Sequence, residues 1–140
     1  MLTIIEKVIF LQNIDVFSEV TTEHLASLAG IAEEVDYIKG DVVYKEYDPA
    51  DALYLVLSGK VLLKRGEQVI STAGRMDAFG TWALFDEEPR VVTAVVEEDS
   101  GLLRVDREEF IDLLADHVQI AQGVIKTVVK RLRNLVERVA

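Results

Sequence analysis

The chain has 140 residues, half of them apolar and 29% charged, with a formal net charge of −10. That is the size and composition of one folded domain with a packed core, and it excludes the polar, highly charged regime of disordered chains. With no cysteine and only His24 and His117, disulfide frameworks, thiol nucleophiles, thiolate zinc sites and iron–sulfur clusters are excluded as well.

No apolar run approaches a membrane span: Ala52 to Leu57 is the longest, and Glu6 and Lys7 interrupt the N-terminal apolar stretch before it can act as a signal peptide. A soluble, untargeted, cytoplasmic chain is expected. The charge is unevenly placed. Residues 117–140 hold Lys126, Lys130, Arg131, Arg133 and Arg138 against Glu137, a net +4, which leaves residues 1–116 at −14. Such an acidic body repels nucleic acid phosphates and anionic lipid, so neither nucleic acid nor membrane is expected as a direct partner. The basic C-terminal segment either touches such a partner or simply complements a helix dipole.

Taken in chain order, Met1 to Phe10 spaces Ile4, Ile5, Val8 and Leu11 at helical intervals and reads as a short docking helix. Asp15 to Ser18 breaks the pattern. Thr21 offers a hydroxyl cap to a helix from about Thr22 to Gly30, with Leu25, Leu28 and Ala29 facing inward. From Val35 the period becomes that of short strands: Val35 and Tyr37, Val42 to Tyr44, Leu53 to Leu57, Val61 to Leu63, Val69 and Ile70. Turn residues separate them, with Gly59 and Gly66 at points where tight hairpins need positive φ. Arg75 to Arg90 is the least regular stretch; β character resumes in Val91 to Val96 and Leu102 to Val105. Asp106 caps a following helix with Glu108 and Glu109 in its first turn.

In the terminal helix Val118, Ala121, Ile125, Val128, Leu132, Leu135 and Val139 recur at alternating steps of three and four, a heptad seam. Ile120, Val124, Val129 and Val136 form a second, sparser set that widens the apolar arc. One helix with this much apolar surface buries two sides. Either a second copy covers the seam, giving a homodimer, or a partner domain does, or the helix folds back and buries both sets on the β domain.

Enzyme signatures are missing. The two histidines lie far apart in sequence, there is no Gly-x-Ser-x-Gly, no Gly-x-x-x-x-Gly-Lys-Ser/Thr and no Gly-rich dinucleotide turn. The acidic clusters Glu97 to Asp99 and Asp86 to Glu88 lack the alternating ligands of a calcium loop and read as solvated turns, so no metal site and no cofactor are expected. What remains is Phe79-Gly80-Thr81-Trp82-Ala83-Leu84-Phe85, followed after three acidic residues by Pro89-Arg90. A glycine before a short apolar stretch reads as a strand handing over to one helical turn, whose free amides face an anion. Arg90 re-enters the β domain as the next strand begins. A buried arginine needs an anionic partner; on the residues alone a phosphate and a structural carboxylate are equally open.

The order of two helices, Tyr37 to Tyr44, Asp51 to Val61 with its Leu-Tyr-x-Val-x-x-Gly-x-Val element, Phe79-Gly80, Pro89-Arg90 and a terminal helix pair resembles the cyclic-nucleotide-binding domain. That family includes the ligand domains of the catabolite activator protein, of protein kinase A regulatory subunits and of nucleotide-gated channels. The resemblance runs from about Leu11 to Val139. It implies a mainly β fold, an eight-stranded, jelly-roll-like β-roll with N-terminal helices and a C-terminal helix pair. The whole chain then forms one domain, with helices in 1–33, the roll in 34–105, the phosphate-binding cassette in 79–90 and helices in 106–140. It also implies a non-enzymatic regulatory role in signal transduction, with cAMP or cGMP as ligand. Phe79, Gly80, Thr81, Trp82, Ala83, Arg90 and Val91 are then the phosphate and ribose site, and Ile125, Val128, Leu132, Leu135 and Val139 the dimer helix.

The cassette departs from the family's pattern in one direction. The family's Phe-Gly-Glu uses its glutamate to accept a hydrogen bond from the ribose 2′-hydroxyl, and this chain has Thr81 there. Val91 stands where a small or hydroxyl residue is usual, and Trp82 where a smaller aliphatic is. Losing a charged acceptor costs about 1.5–3 kcal/mol, or about one to two decades of affinity. Weak or absent nucleotide binding is therefore expected, and the second reading is an interaction module that keeps the fold but has lost the ligand.

Overall fold

The computed structural model describes residues 1–139, with side-chain surroundings through Glu137; the seam position Val139 has its side chain outside the described residues, as does all of Ala140. The first helix, α1 (Ile4–Leu11), starts where Thr3 and Glu6 form a reciprocal capping box. Its buried side is Val8, Phe10 and Leu11, while Ile4 and Ile5 stay exposed. Only the last turn of this short helix reaches the core. Helix α2 (Thr22–Ala29) buries Leu25, Leu28 and Ala29 as the sequence predicts. Thr21 occupies its N-cap position, but the hydroxyl bonds His24 Nδ1 at 2.7 Å in place of a backbone amide.

Six antiparallel strands follow: β1 (Ala32–Tyr37), β2 (Val42–Tyr44), β3 (Ala52–Arg65), β4 (Gln68–Ala73), β5 (Ala78–Phe79) and β6 (Thr93–Asp106). Their order is β1-β6-β3-β4, with β2 also on β6 and β5 also on β3. The sequence splits β3 and β6 into two strands each. The structure keeps each whole, so the roll has six strands where eight were expected. A bend comes from successive register shifts between Val56 and Val61 along β6. Gly59 sits in that bulge, not in a hairpin, at φ +93°, where an added Cβ would lie 2.1 Å from Ser100 Oγ. Only glycine lets the two bent strands cross so closely.

Strand alternation then sorts the core into two parts. Leu53, Leu55, Leu103 and Val105 face the helices and pack with Leu11, Phe17, Leu25, Leu28, Phe110 and Ile120. Tyr54, Val56, Val61 and Leu102 face the inside of the roll with Tyr44, Phe79, Ala94 and Val96. Each fully buried leucine or phenylalanine contributes about 1.5–3 kcal/mol to this layered arrangement.

Helix α3 (Arg107–Asp116) begins with Asp106 Oδ2 accepting the Glu109 amide at 3.1 Å. His117 leaves helical geometry at φ −134° and ψ 71°, and separates α3 from α4 (Val118–Val139). Ile120, Val124 and Thr127 of α4 are buried against the 3₁₀ turn Asp15–Phe17 and Val20. Glu19 holds Lys126 at 3.9 Å and also pairs with Lys130, while Asp15 pairs with Arg131. Beyond Thr127 every described residue through Glu137 is exposed. The fold-back alternative therefore holds only for Ile120 and Val124; Val129 and Val136 stand in the open with Val118, Ile125, Val128, Leu132 and Leu135. Among the described residues no helix is long and apolar enough to cross a membrane.

Candidate functional site

Pairing of Phe79 with Tyr54 delivers the chain from β5 into a left-handed residue, Gly80, at φ 70° and ψ 21°. The 3₁₀ turn Thr81–Leu84 follows, anchored by buried Ala83 and Leu84. Gly80 is required twice over, since an added Cβ would also sit 2.6 Å from Arg90 Nη1. As the first residues of the turn, Thr81 and Trp82 have amides with no acceptor inside it. The far end of the loop is clamped through its backbone: the Tyr47 amide donates to Arg90 O at 2.8 Å and the Arg90 amide to Asp48 O at 2.9 Å. Tyr47 holds this clamp at φ 71°, a conformation that costs a non-glycine residue on the order of 1 kcal/mol.

The Arg90 side chain turns into the roll and is only 5% exposed. Its guanidinium lies 3.9 Å from the Tyr44 ring centroid, and donates to Ala52 O at 2.7 Å and to Gly80 O at 3.4 Å. One carboxylate is near, Asp51 Oδ1 at 3.5 Å, and its other oxygen is 3.5 Å from Arg104. Asp51 is itself 64% exposed. A shared, solvated partner at that distance is much weaker than a charge-assisted bond of about 2.7–2.9 Å. Arg90 Nε is buried and has no partner at all. A cation so enclosed and so loosely matched favours an anion entering from outside.

Tyr44 forms the wall behind Arg90, with Tyr54 and Phe79 stacked beside it at 5.4 Å between centroids. Burial pushes the Tyr44 phenol up to about 12; the Arg90 charge opposes that shift and Tyr54 adds to it. Tyr44 is thus a neutral phenol at physiological pH. Because an unfolded tyrosine ionises near 10, the folded state holds this proton more tightly. Stability is then intact below pH 10 and falls between pH 10 and about 12, by at most about 3 kcal/mol. The Tyr44→Phe variant is expected to lose most of that alkaline decline in urea midpoints measured against pH.

All seven candidate residues, Phe79, Gly80, Thr81, Trp82, Ala83, Arg90 and Val91, border one recess of about 440 Å³. Thr81 is half-buried at its edge, and Val91 is exposed at its mouth. Asp86 and Glu88 also border the recess, whereas Glu87 turns away to Arg107 at 3.0 Å. Sequence reasoning missed Tyr44, Asp51 and Tyr47. No local pattern marks Tyr44 or Asp51, and the Tyr47 position is signalled only by the turn residues Asp48 and Pro49 after it. Among the described residues no group of three or more histidine or acidic side chains could hold a metal ion.

The sequence model of the cyclic nucleotide-binding domain matches residues 34–117. The CRP-like cAMP-activated global transcriptional regulator of Mycobacterium tuberculosis is 29% identical over 124 residues, covering 85% of this chain and 55% of that one. The cyclic AMP receptor protein of Thermus thermophilus is 34% identical over 103 residues, covering 70% and 48%. The chain thus spans about half the length of these relatives. Among solved structures, the N-terminal domain of a transcriptional regulator from Streptomyces coelicolor superposes with a TM-score of 0.84 at 28% identity, over 90% of this chain and 94% of that one.

Proposed function

This chain belongs to the cyclic nucleotide-binding domain family, and on that footing we propose that it is a non-enzymatic sensor domain, cytoplasmic, whose 140 residues act as one unit. The cyclic phosphate of cAMP or cGMP is held by the Gly80 turn and Arg90. The observation that carries this reading is Arg90 itself, a buried cation with an unpartnered Nε and one exposed carboxylate at 3.5 Å. An incoming phosphate supplies the bidentate acceptor that Asp51 does not, and the free amides of Thr81 and Trp82 lie on the same turn. Tyr44, neutral beneath the guanidinium, keeps the arginine flat and aimed at the recess.

Affinity is set low by what the turn lacks. Thr81 offers a neutral oxygen where a carboxylate would accept from the ribose, and Val91 adds no hydrogen bond. Asp86 and Glu88 at the recess further oppose an anion. The double variant Thr81→Glu, Val91→Ser is expected to tighten cAMP or cGMP binding at least tenfold by calorimetry. No change in the double variant would favour the second reading, an interaction module without nucleotide. The observation on its side is that Asp51 bridges Arg90 and Arg104, which supplies part of the charge a ligand would bring.

Output passes through α4. The 3₁₀ turn Asp15–Phe17 packs on this helix, and Thr81 and Trp82 line a groove together with its Val124, Val128 and Leu132; the helix is pinned by Glu19 and Asp15 and carries the exposed seam. A second copy covering Ile125, Val128, Leu132 and Leu135 makes the dimer that links occupancy to partner. No direct contact with nucleic acid or membrane is required by this mechanism.

A further inference from the structure

Three arginines meet at Asp51, just before β3. The Asp51 carboxylate lies 3.5 Å from both Arg90 and Arg104, and its carbonyl accepts the Arg107 amide at 2.8 Å. Arg104 also reaches Asp106, the N-cap of α3, at 3.5 Å. The Arg107 side chain leaves this network. It crosses to the cassette loop, where it donates to Glu87 Oε1 at 3.0 Å. Its Nε is buried without a partner and the side chain is only 22% exposed, so packing fixes the stem and leaves the Nη end to bond outward. Most of the rotamer freedom that an ordinary surface ion pair gives up is already lost here.

The loop that receives it is acidic. Asp86, Glu87 and Glu88 stand between the turn Thr81–Leu84 and Arg90. Asp86 and Glu88 border the recess, and Glu87 between them does not; neither does Arg107. The loop is tied to α3 at two points, Phe85 on Phe110 with ring centroids 5.8 Å apart, and Glu87 on Arg107. Positions 107 and 110 lie three apart in α3 and therefore share a face of the helix. The apolar contact seats the loop on that face, and the ion pair decides which way the middle carboxylate points.

We propose that Arg107 is a positioning residue of the anion site: it holds Glu87 on α3, so that the cassette loop turns one carboxylate fewer toward the recess and Arg90. The proposal rests on the reading of the recess as an anion site and adds to it a residue that never touches the anion. Without the pair, Glu87 is free to join Asp86 and Glu88 in opposing a bound phosphate, and like charges act over the width of such a loop.

The test is calorimetric titration with cAMP of the unaltered chain, Arg107→Gln, Arg107→Lys and the double variant Arg107→Gln, Glu87→Gln, at about 50 mM and about 500 mM salt, which moves the screening length from beyond the loop's width to well within it. Thermal melts on the same samples confirm that each variant is folded. At low salt Arg107→Gln is expected to weaken binding at least about threefold. Removing the Glu87 charge as well is expected to restore affinity to within about 1.5-fold of the unaltered chain, and Arg107→Lys, which keeps a point charge without the fork, to lie between. At high salt the Arg107→Gln deficit is expected to shrink below about 1.5-fold. An affinity that Arg107→Gln leaves unchanged, a loss that Glu87→Gln does not reverse, or a deficit that persists at high salt overturns the proposal and leaves the anion site standing, with Arg107 a support of the fold alone. Failure of the unaltered chain to bind cAMP up to about 10 mM overturns the anion-site reading and this proposal with it.

Discussion

Replacing Arg90 by glutamine is expected to lower affinity for cAMP and cGMP at least about thirtyfold while the domain still folds. Removing one member of a buried, hydrogen-bonded charge pair costs about 2–5 kcal/mol, which is roughly 30-fold to several thousandfold. Glutamine keeps a neutral amide donor for a nearby carbonyl, so the loss is confined to charge and to the two-pronged geometry. Arg90→Lys keeps the charge without that geometry and is expected to fall between the two. Calorimetric titration with thermal melts on the same samples separates the possibilities. If Arg90 only serves the 3.5 Å contact to Asp51, the melts shift and the affinity does not.

The second large effect is on assembly. Leu132→Glu combined with Leu135→Glu is expected to give a folded monomer, with the dimer weakened by at least about a thousandfold, because two carboxylates would be buried in an apolar seam without partners. Stability of the protomer should change little. Both leucines lie beyond Thr127, the last residue of α4 that is buried among the described side chains, and each is 57% exposed in the protomer. Sedimentation and melting of the double variant check both halves of this expectation; a wild-type-like dimer would move the contact off the seam.

Features written in adjacent residues were legible in the sequence. The Asp106 cap with its following glutamates, the end of α2 at Gly30 and the Phe79-Gly80 handover needed only local rules, and each stands where those rules put it. Arg90 was legible because a charge entering an apolar strand demands a partner, although which partner was left open. The features that escaped are set by distance across the fold. Gly59 reads as a hairpin turn until Ser100 is brought against it by β6, after which the same positive φ makes a bulge in one continuous strand. Tyr47 gives no sequence signal for a left-handed conformation; its amide is drawn there by the Arg90 carbonyl. Asp51 enters the site only because β3 starts beside the cassette loop. In α1 the helical spacing was right, but its isoleucines stay exposed because the neighbouring core reaches only Val8, Phe10 and Leu11.

The most direct test of the central claim is a calorimetric titration of the unaltered chain with cAMP and with cGMP, carried to about 10 mM nucleotide. The account predicts one saturable site per chain, weaker than about 1 μM for either nucleotide, and weakened at least about thirtyfold by Arg90→Gln. No saturable heat up to that limit, or binding that is unchanged by the loss of Arg90, would contradict it.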